Sequence, residues 1–184
     1  MRWDRLFADL EDQLAAAGTA DLEAEVADRS RAEHGRIRFV DRLRAAEGQP
    51  VLVRVAGAGV LGGTLCGVGV DWLLLGSPIG AQILVALPAV ASVSGLGATT
   101  APPLDRGLVY DRLDLRRALR GLAMRRTQVR LRLVEGGALV GTLDRVGADF
   151  AELAEHPAGE PRRRAAVRAV HAVPIHAVAA VHQL

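Results

Sequence analysis

An internal repeat constrains this chain more than any other feature of its sequence. Residues 53–72 align without a gap with residues 131–150, which lie 78 positions further on. Both segments contain Gly-Thr-Leu, then Val-Gly, then an Asp followed by an aromatic residue. The match resumes between residues 85–93 and 173–181, now 88 positions apart, so the second copy has about ten extra residues. They fall at 155–164, where the Pro, Gly and Arg content predicts a loop.

Each copy of the repeat predicts five short β-strands. Apolar residues alternate with other residues at 51–56 and again at 129–133, and this period of two is typical of a half-buried strand. Glycine-containing segments at 57–59 and 135–137 predict hairpin turns. We expect the second strand to end in Gly-Thr-Leu and the third to begin at the Asp-aromatic pair. The later block supplies the fourth and fifth strands. Five short, bent strands favour a small barrel.

A helix is predicted before each copy. Asp114 is a candidate N-cap for a helix over 115–124, in which Leu115 and Leu119 share an apolar face. A longer helix is predicted over 21–46 and an amphipathic one over 3–17. The expected domains are a helical N-terminal arm (1–47), a first barrel (48–97), a linker (98–107), and a helix with a second barrel (108–184).

This order of elements resembles the Sm-like family of SH3-like barrels, over about 20–100 and 107–184. The resemblance implies a mainly β fold with two tandem five-stranded barrels, RNA binding, and assembly through barrel edges. The family's base-holding Asn after the third-strand Asp is missing, because the chain contains no Asn. The barrel therefore carries over, whereas the RNA pocket does not. The N-terminal MRWD-x-LFADLE resembles that of an actinobacterial family with no established activity.

Arginine is concentrated in the second half of the chain. All 23 basic residues are Arg, and residues 106–132 hold nine of them against two acidic residues. The guanidinium group is a planar fork of donors that suits phosphate. We therefore predict a surface on the helix between the copies and on the second copy that binds RNA or DNA. Its candidate residues are Arg116, Arg117, Arg120, Arg125, Arg126, Arg130, Arg132, Arg162, Arg163 and Arg164.

Two other interpretations of these arginines stay open. One is a solvated face, or a face paired with the acidic N-terminal arm, which has 8 Arg and 11 acidic residues over 1–48. The other is contact with an anionic membrane or protein surface. The alternative function for the whole chain is a protein-interaction or oligomeric scaffold module that does not bind nucleic acid and acts through barrel edges or the N-terminal helix. The near absence of aromatic residues, at 3%, argues against a stacking platform for single strands.

Several apparent motifs are better explained structurally. Residues 57–62 fit G-x-G-x-x-G. A dinucleotide site requires a helix next and an acidic residue about 20 residues further on, but the next residues are poor helix formers and the segment near 80 has no acidic residue, so a hairpin is predicted. Asp71 and Asp149 are interpreted as carboxylates that accept backbone N–H bonds in a turn. The histidines at 171, 176 and 182 lack metal-ligand spacing, and Cys66 is the single cysteine.

We therefore expect a non-catalytic protein without cofactor or metal. The charged N-terminus does not resemble a signal peptide. The uncharged stretch between Asp71 and Asp105 is interrupted by Pro and Gly, which argues against a membrane-spanning helix. A cytoplasmic location is the resulting expectation.

Overall fold

A computed structural model of the chain describes residues 35–77, 80–100 and 113–184. The chain divides into two compact units, Met1–Arg38 and Phe39–Leu184. Of the first unit only residues 35–38 are described, and they form a turn followed by irregular backbone. The helix predicted over 3–17, most of the one over 21–46, and most of the linker lie outside the described residues. In the described part, no helix is long and apolar enough to cross a membrane.

The second unit contains ten strands, two α-helices and two 3₁₀ turns among its described residues. The strands are β1 (Pro50–Val55), β2 (Gly59–Val68), β3 (Trp72–Gly76), β4 (Gln82–Ala86), β5 (Val90–Ser94), β6 (Gln128–Leu133), β7 (Ala138–Val146), β8 (Phe150–Glu155), β9 (Ala169–Pro174) and β10 (Val178–Gln183). The helices are α1 (Phe39–Ala45) and α2 (Leu115–Met124), and the 3₁₀ turns are Leu87–Ala89 and Ile175–Ala177.

All ten strands belong to one antiparallel sheet in the order β5-β1-β2-β3-β4-β10-β6-β7-β8-β9. The prediction of a mainly β fold is confirmed. The sheet is open and continuous, however, and does not consist of two separate barrels. The junction is the pairing of β4 with β10, in which Leu84 lies opposite Val181. This pairing satisfies two strand edges whose backbone groups otherwise have no partners.

The two copies repeat each other down to their backbone hydrogen bonds. Each has the strand order fifth, first, second, third, fourth. The N–H of Gly69 donates to the carbonyl of Trp72, and the N–H of Gly147 donates to that of Phe150, both at 2.8 Å. A 3₁₀ turn joins the fourth and fifth strands in both copies. The duplication inferred from the sequence is therefore confirmed.

Strand alternation builds the core as predicted. Val51, Val53 and Val55 are buried, while the residues between them are exposed. In the second copy β6 buries Val129 and Leu131. Helix α2 buries its Leu115, Leu119 and Ala123 face and packs against β7. Aliphatic side chains of modest size thus fill the interior.

Glycines stand where the backbone leaves no room for a side chain. Gly57 and Gly59 have φ of +66° and +78° in the turn between β1 and β2, so the G-x-G-x-x-G segment is a hairpin, as predicted. A Cβ on Gly141 would lie 2.0 Å from the carbonyl oxygen of Ala154 on the neighbouring strand. The Gly of the repeated Gly-Thr-Leu motif therefore permits close approach of the second and third strands.

The prediction of one helix over 21–46 is wrong at its described end. Residues 35–38 are not helical, and α1 begins only at Phe39. Gly35 lies in the turn that precedes α1. Glycine in a helix interior costs about 1 kcal/mol relative to Ala, which favours an interruption at this point.

The Asp-aromatic pair of the first copy holds the start of α2. An Asp71 carboxylate oxygen (Oδ1) accepts from the backbone N–H of Leu115 at 2.7 Å, and the Trp72 indole donates to the carbonyl of Leu113 at 2.7 Å. Asp71 was expected to bond within its own turn, and this is corrected: its side chain reaches the helix that precedes the next copy. Asp114 caps α2 as predicted, because its side chain accepts from the N–H of Arg117 at 2.8 Å.

Candidate nucleic-acid interface

The arginines of α2 are largely engaged in structural contacts. The Arg120 guanidinium donates to the carbonyls of Val146 and Gly147, at 3.3 and 3.2 Å, and so ties the helix to the end of β7. Arg116 lies 3.2 Å from the carboxylate of Asp114. Arg117 is exposed on the same helix. Three of the predicted binding residues therefore lie along α2, and of these Arg120 helps to fix the position of the helix.

Asp144 brings together two other predicted residues that are far apart in sequence. Its Oδ1 lies 3.0 Å from Arg126, just beyond α2, and its Oδ2 lies 2.6 Å from Arg162, in the inserted loop. The register between β7 and β8 shifts between Leu143 and Arg145, so Asp144 occupies a β-bulge. A bulge re-aims a side chain. One carboxylate thus joins the end of a helix, a strand and the loop.

The inserted loop is anchored at its base by a buried histidine. The imidazole of His156 contacts the Thr142 hydroxyl at 2.8 Å through Nε2 and the Pro157 carbonyl at 3.1 Å through Nδ1. The Gln128 amide donates to Pro157 at 2.8 Å and accepts from the N–H of Gly159 at 2.8 Å. These bonds hold the first part of the loop against β6 and β7.

The loop and the end of α2 form what we call the basic cluster: Arg125, Arg126, Arg162, Arg163 and Arg164. All five residues are exposed. Arg126 and Arg162 share the carboxylate of Asp144, which leaves the cluster with an excess of positive charge even when the loop residue Glu160 is counted. Exposed guanidinium groups held near one another in this way bind polyanions in a salt-dependent manner.

The two remaining predicted residues lie on β6. Arg130 is exposed and Arg132 is half-buried. Arg130 lies directly opposite His182 of β10 in the strand register. Burial lowers the pKa of His182, and the charges of Arg132 and Arg130 lower it further. The ten predicted residues thus form three groups: those on α2, the basic cluster, and the pair on β6.

Sequence reasoning missed the residues that organise the interface. Asp144 belongs to the repeat, but its counterpart in the first copy is Cys66, which also lies at a bulge, so the alignment gave no reason to single it out. His156 stands at the start of the ten-residue insertion, and its position next to a Pro was the one available signal. Both roles depend on residues that are distant in sequence.

Within the described ranges, no group of three or more His, Cys, Asp and Glu side chains is placed to hold a metal ion. No protein-family model, curated protein or solved structure matches the chain. Its function therefore has to be argued from its own residues.

Proposed function

We propose that this protein binds nucleic acid, RNA or DNA, without catalysing a reaction, and that the basic cluster is the principal contact with its phosphate backbone. The observation that carries the proposal is the Asp144 bridge at 3.0 and 2.6 Å, which holds Arg126 and Arg162 in place and leaves their neighbours exposed. A cytoplasmic location belongs to the same proposal.

Phosphate is the ligand that this chemistry favours. The cluster offers guanidinium forks and few acceptors, and guanidinium binds phosphate through paired hydrogen bonds. The anchored base of the loop reduces the conformational entropy that is lost on binding, since part of the loop is already ordered. The cluster provides no aromatic side chain for base stacking, so we expect backbone contact with little sequence preference.

We also propose that each copy of the repeat has the SH3-like form of the Sm-like family, with the sheet bent at its bulges. Support comes from the identical strand order in the two copies and from the register shift at the same position of β2 and β7. In this arrangement the binding surface lies on the second copy, because the first has no counterpart of the inserted loop.

Fluorescence anisotropy with labelled single-stranded RNA, single-stranded DNA and duplex DNA tests the binding proposal. The variant Arg163→Gln/Arg164→Gln removes two exposed charges from the cluster. The control Arg36→Gln/Arg54→Gln removes two exposed charges elsewhere, from the turn before α1 and from β1. Because the two variants have the same net charge, a general electrostatic effect weakens both equally.

We expect at least tenfold weaker binding for the cluster variant and at most a twofold change for the control. Absence of binding by the wild-type chain at low salt, or equal weakening in the two variants, overturns the proposal.

One observation favours a second function, self-assembly through sheet edges. Leu115, the first residue of α2, is only 2% exposed, whereas Phe39, the first residue of α1, is 46% exposed. Correspondingly, Asp71 bonds to the start of α2, while the equivalent Asp149 is exposed and has no side-chain partner among the described residues. Inside the chain, the Asp of the first copy bonds to the start of the helix that precedes the second copy. Among the described residues, the Asp of the second copy and the start of α1 make no such contact, so they are available to another molecule.

The two free edges also match the internal junction. Strands β5 and β9 end the sheet and carry no Arg, Asp or Glu, although edge strands commonly use charge to avoid pairing. The internal pair Leu84 and Val181 corresponds, by the 88-residue offset, to Ala172 and Val93. In a self-assembled form, β5 of one molecule would thus pair with β9 of the next molecule. Behind the internal junction, Leu74 of β3 lies opposite Leu84, whereas Glu152 of β8 lies opposite Ala172. Because a charged residue replaces an apolar one beside the edge strand, we expect the junction between molecules to be weaker than the one inside the chain.

Disulfide trapping tests this second function. In a Cys66→Ser background, Val93→Cys with Ala172→Cys should give a ladder of covalently joined chains under mild oxidation. Because these positions lie on opposite edge strands of the open sheet, the bond forms between molecules. The single variant Val93→Cys is the control. If the double variant gives no more covalent oligomer than this control, the edges do not pair.

A further inference from the structure

Three nitrogen-rich side chains meet on one face of the second copy, apart from the basic cluster. In the pairing of β6 with β10, Arg130 lies opposite His182 and Arg132 lies opposite Ala180. Residues directly opposite one another share a face of the sheet, and diagonal neighbours lie about 7–8 Å apart, within reach of long side chains. The three side chains therefore point to the same region.

Two of these side chains bury a polar atom without a partner. Arg132 Nε and His182 Nε2 are buried and have no hydrogen-bond partner in the described structure. A buried donor without a partner costs about 1–3 kcal/mol, so such atoms in folded proteins usually mark an ordered water or ion. Both atoms here lie beside positive charge, which favours an anion.

No carboxylate from the neighbouring strands neutralises this region. In the sheet register, His182 faces Ile83 of β4, Arg130 faces Val140 of β7, and Arg132 faces Ala138 of β7. The charged or titratable groups that face His182 from the paired strands are therefore Arg130 and Arg132, both of which are positive. The region therefore carries a net positive charge.

We infer that Arg130, Arg132 and His182 form a binding site for a single phosphate oxyanion. The ligand is a backbone phosphate of the nucleic acid, so the inference rests on the proposed function and adds a second, partly buried contact to it. The Arg132 guanidinium donates to one phosphate oxygen, and the protonated imidazole of His182 donates to another. Arg130 supplies the outer, exposed positive charge.

The first copy provides an internal comparison. The repeat offsets of 78 and 88 place Leu52, Arg54 and Ser94 at the positions of Arg130, Arg132 and His182. The first copy therefore has one arginine and no histidine at these positions, so we expect it not to bind phosphate there. Arg54 is exposed, so it is also a suitable control position.

Binding at this site depends on pH through His182. The nearby arginines and burial keep its pKa below the ordinary value, so the imidazole is neutral at neutral pH in the unliganded protein. A bound phosphate cancels the positive field and raises that pKa, and binding is then accompanied by uptake of one proton. By linkage, phosphate binds more tightly as pH falls toward the pKa of the free protein.

Titration with dimethyl phosphate, a phosphodiester whose single negative charge does not change over this pH range, tests the site through the imidazole NMR signal of His182. We expect a saturable shift that becomes tighter between pH 7.5 and 5.5. A hydrogen bond that involves charged groups contributes about 1.5–3 kcal/mol, so Arg132→Gln should weaken phosphate binding by roughly 10- to 100-fold. Arg54→Gln should leave it unchanged. A signal that does not respond to phosphate, or responds equally in both variants, overturns the inference.

The same measurement with an oligonucleotide separates this inference from the proposed function. If the oligonucleotide binds while the His182 signal stays unchanged, the phosphate site is wrong and the basic cluster still stands. If phosphate and the oligonucleotide both shift the signal but Arg163→Gln/Arg164→Gln has no effect on affinity, the phosphate site stands and the basic cluster does not. His182→Gln provides a second variant, whose fold is checked by circular dichroism.

Discussion

Replacing Asp71 with Ala should destabilise the fold far more than the same change at Asp149, its counterpart in the second copy. The Asp71 carboxylate accepts from the N–H of Leu115 at 2.7 Å, at the positive end of α2. Leu115 is 2% exposed, so water cannot readily replace the lost acceptor. Asp149 is exposed and makes no side-chain hydrogen bond among the described residues. The difference in stability between the two variants therefore measures the contribution of the hydrogen bond between Asp71 and Leu115.

The magnitude follows from the type of bond. A hydrogen bond to a charged group contributes about 1.5–3 kcal/mol, so we expect Asp71→Ala to lower the free energy of unfolding by about 2 kcal/mol. For a unit of this size each kcal/mol shifts Tm by about 2–4 °C, which gives a fall of about 4–8 °C. Asp149→Ala should stay within about 0.5 kcal/mol, as surface substitutions usually do.

Thermal and urea unfolding, followed by circular dichroism in dilute solution, measure both variants. Equal destabilisation by Asp71→Ala and Asp149→Ala would refute the reasoning, because of these two residues only Asp71 bonds to a helix in the described structure. At high protein concentration Asp149→Ala acquires a second use, since it should weaken self-association if the sheet edges pair.

Three further predictions concern the packing, the helix cap and pH. Gly141→Ala should cost about 3 kcal/mol, since its Cβ would lie 2.0 Å from a carbonyl oxygen. Gly67→Ala, which meets nothing within 4 Å, should change the free energy of unfolding little in the same urea experiment. Asp114→Ala should lower the free energy of unfolding by about 1 kcal/mol through loss of the N-cap, whereas Asp114→Asn should keep most of the stabilisation by the cap. Because the pKa of His182 is lowered in the folded state, the unfolded chain takes up its proton first. Stability should therefore fall as pH drops below about 6.5, and His182→Gln should remove this part of the pH dependence in phosphate-free buffer.

The strands and turns could be predicted because their signals are local. Alternation at Val51, Val53 and Val55 specifies which face is buried, and the glycines of the hairpins specify where the chain reverses. The same strand and turn signals occur in both copies of the repeat, so each copy supports the strand assignment of the other. The N-cap of α2 was also predictable, because an N-cap involves residues only three positions apart in sequence.

The single sheet and the organisation of the candidate site could not be predicted in this way. The pairing of β4 with β10 joins residues about a hundred positions apart, and nothing in the repeat pattern indicates which edges meet. The groups that donate to Asp144 and Asp71 belong to other elements that are distant in sequence, so the sequence alone did not indicate these bonds. The arginine positions were therefore evident from sequence, while their grouping by Asp144 required the tertiary structure.

The salt dependence of nucleic-acid binding tests the central claim most directly. If the basic cluster binds backbone phosphates, log K for duplex DNA falls linearly with log salt, with a slope of about −0.9 for each phosphate contacted. Arg163→Gln/Arg164→Gln should therefore reduce the magnitude of that slope by about 2, whereas Arg36→Gln/Arg54→Gln should leave it unchanged. A slope that is the same in the wild type and the cluster variant would contradict the account.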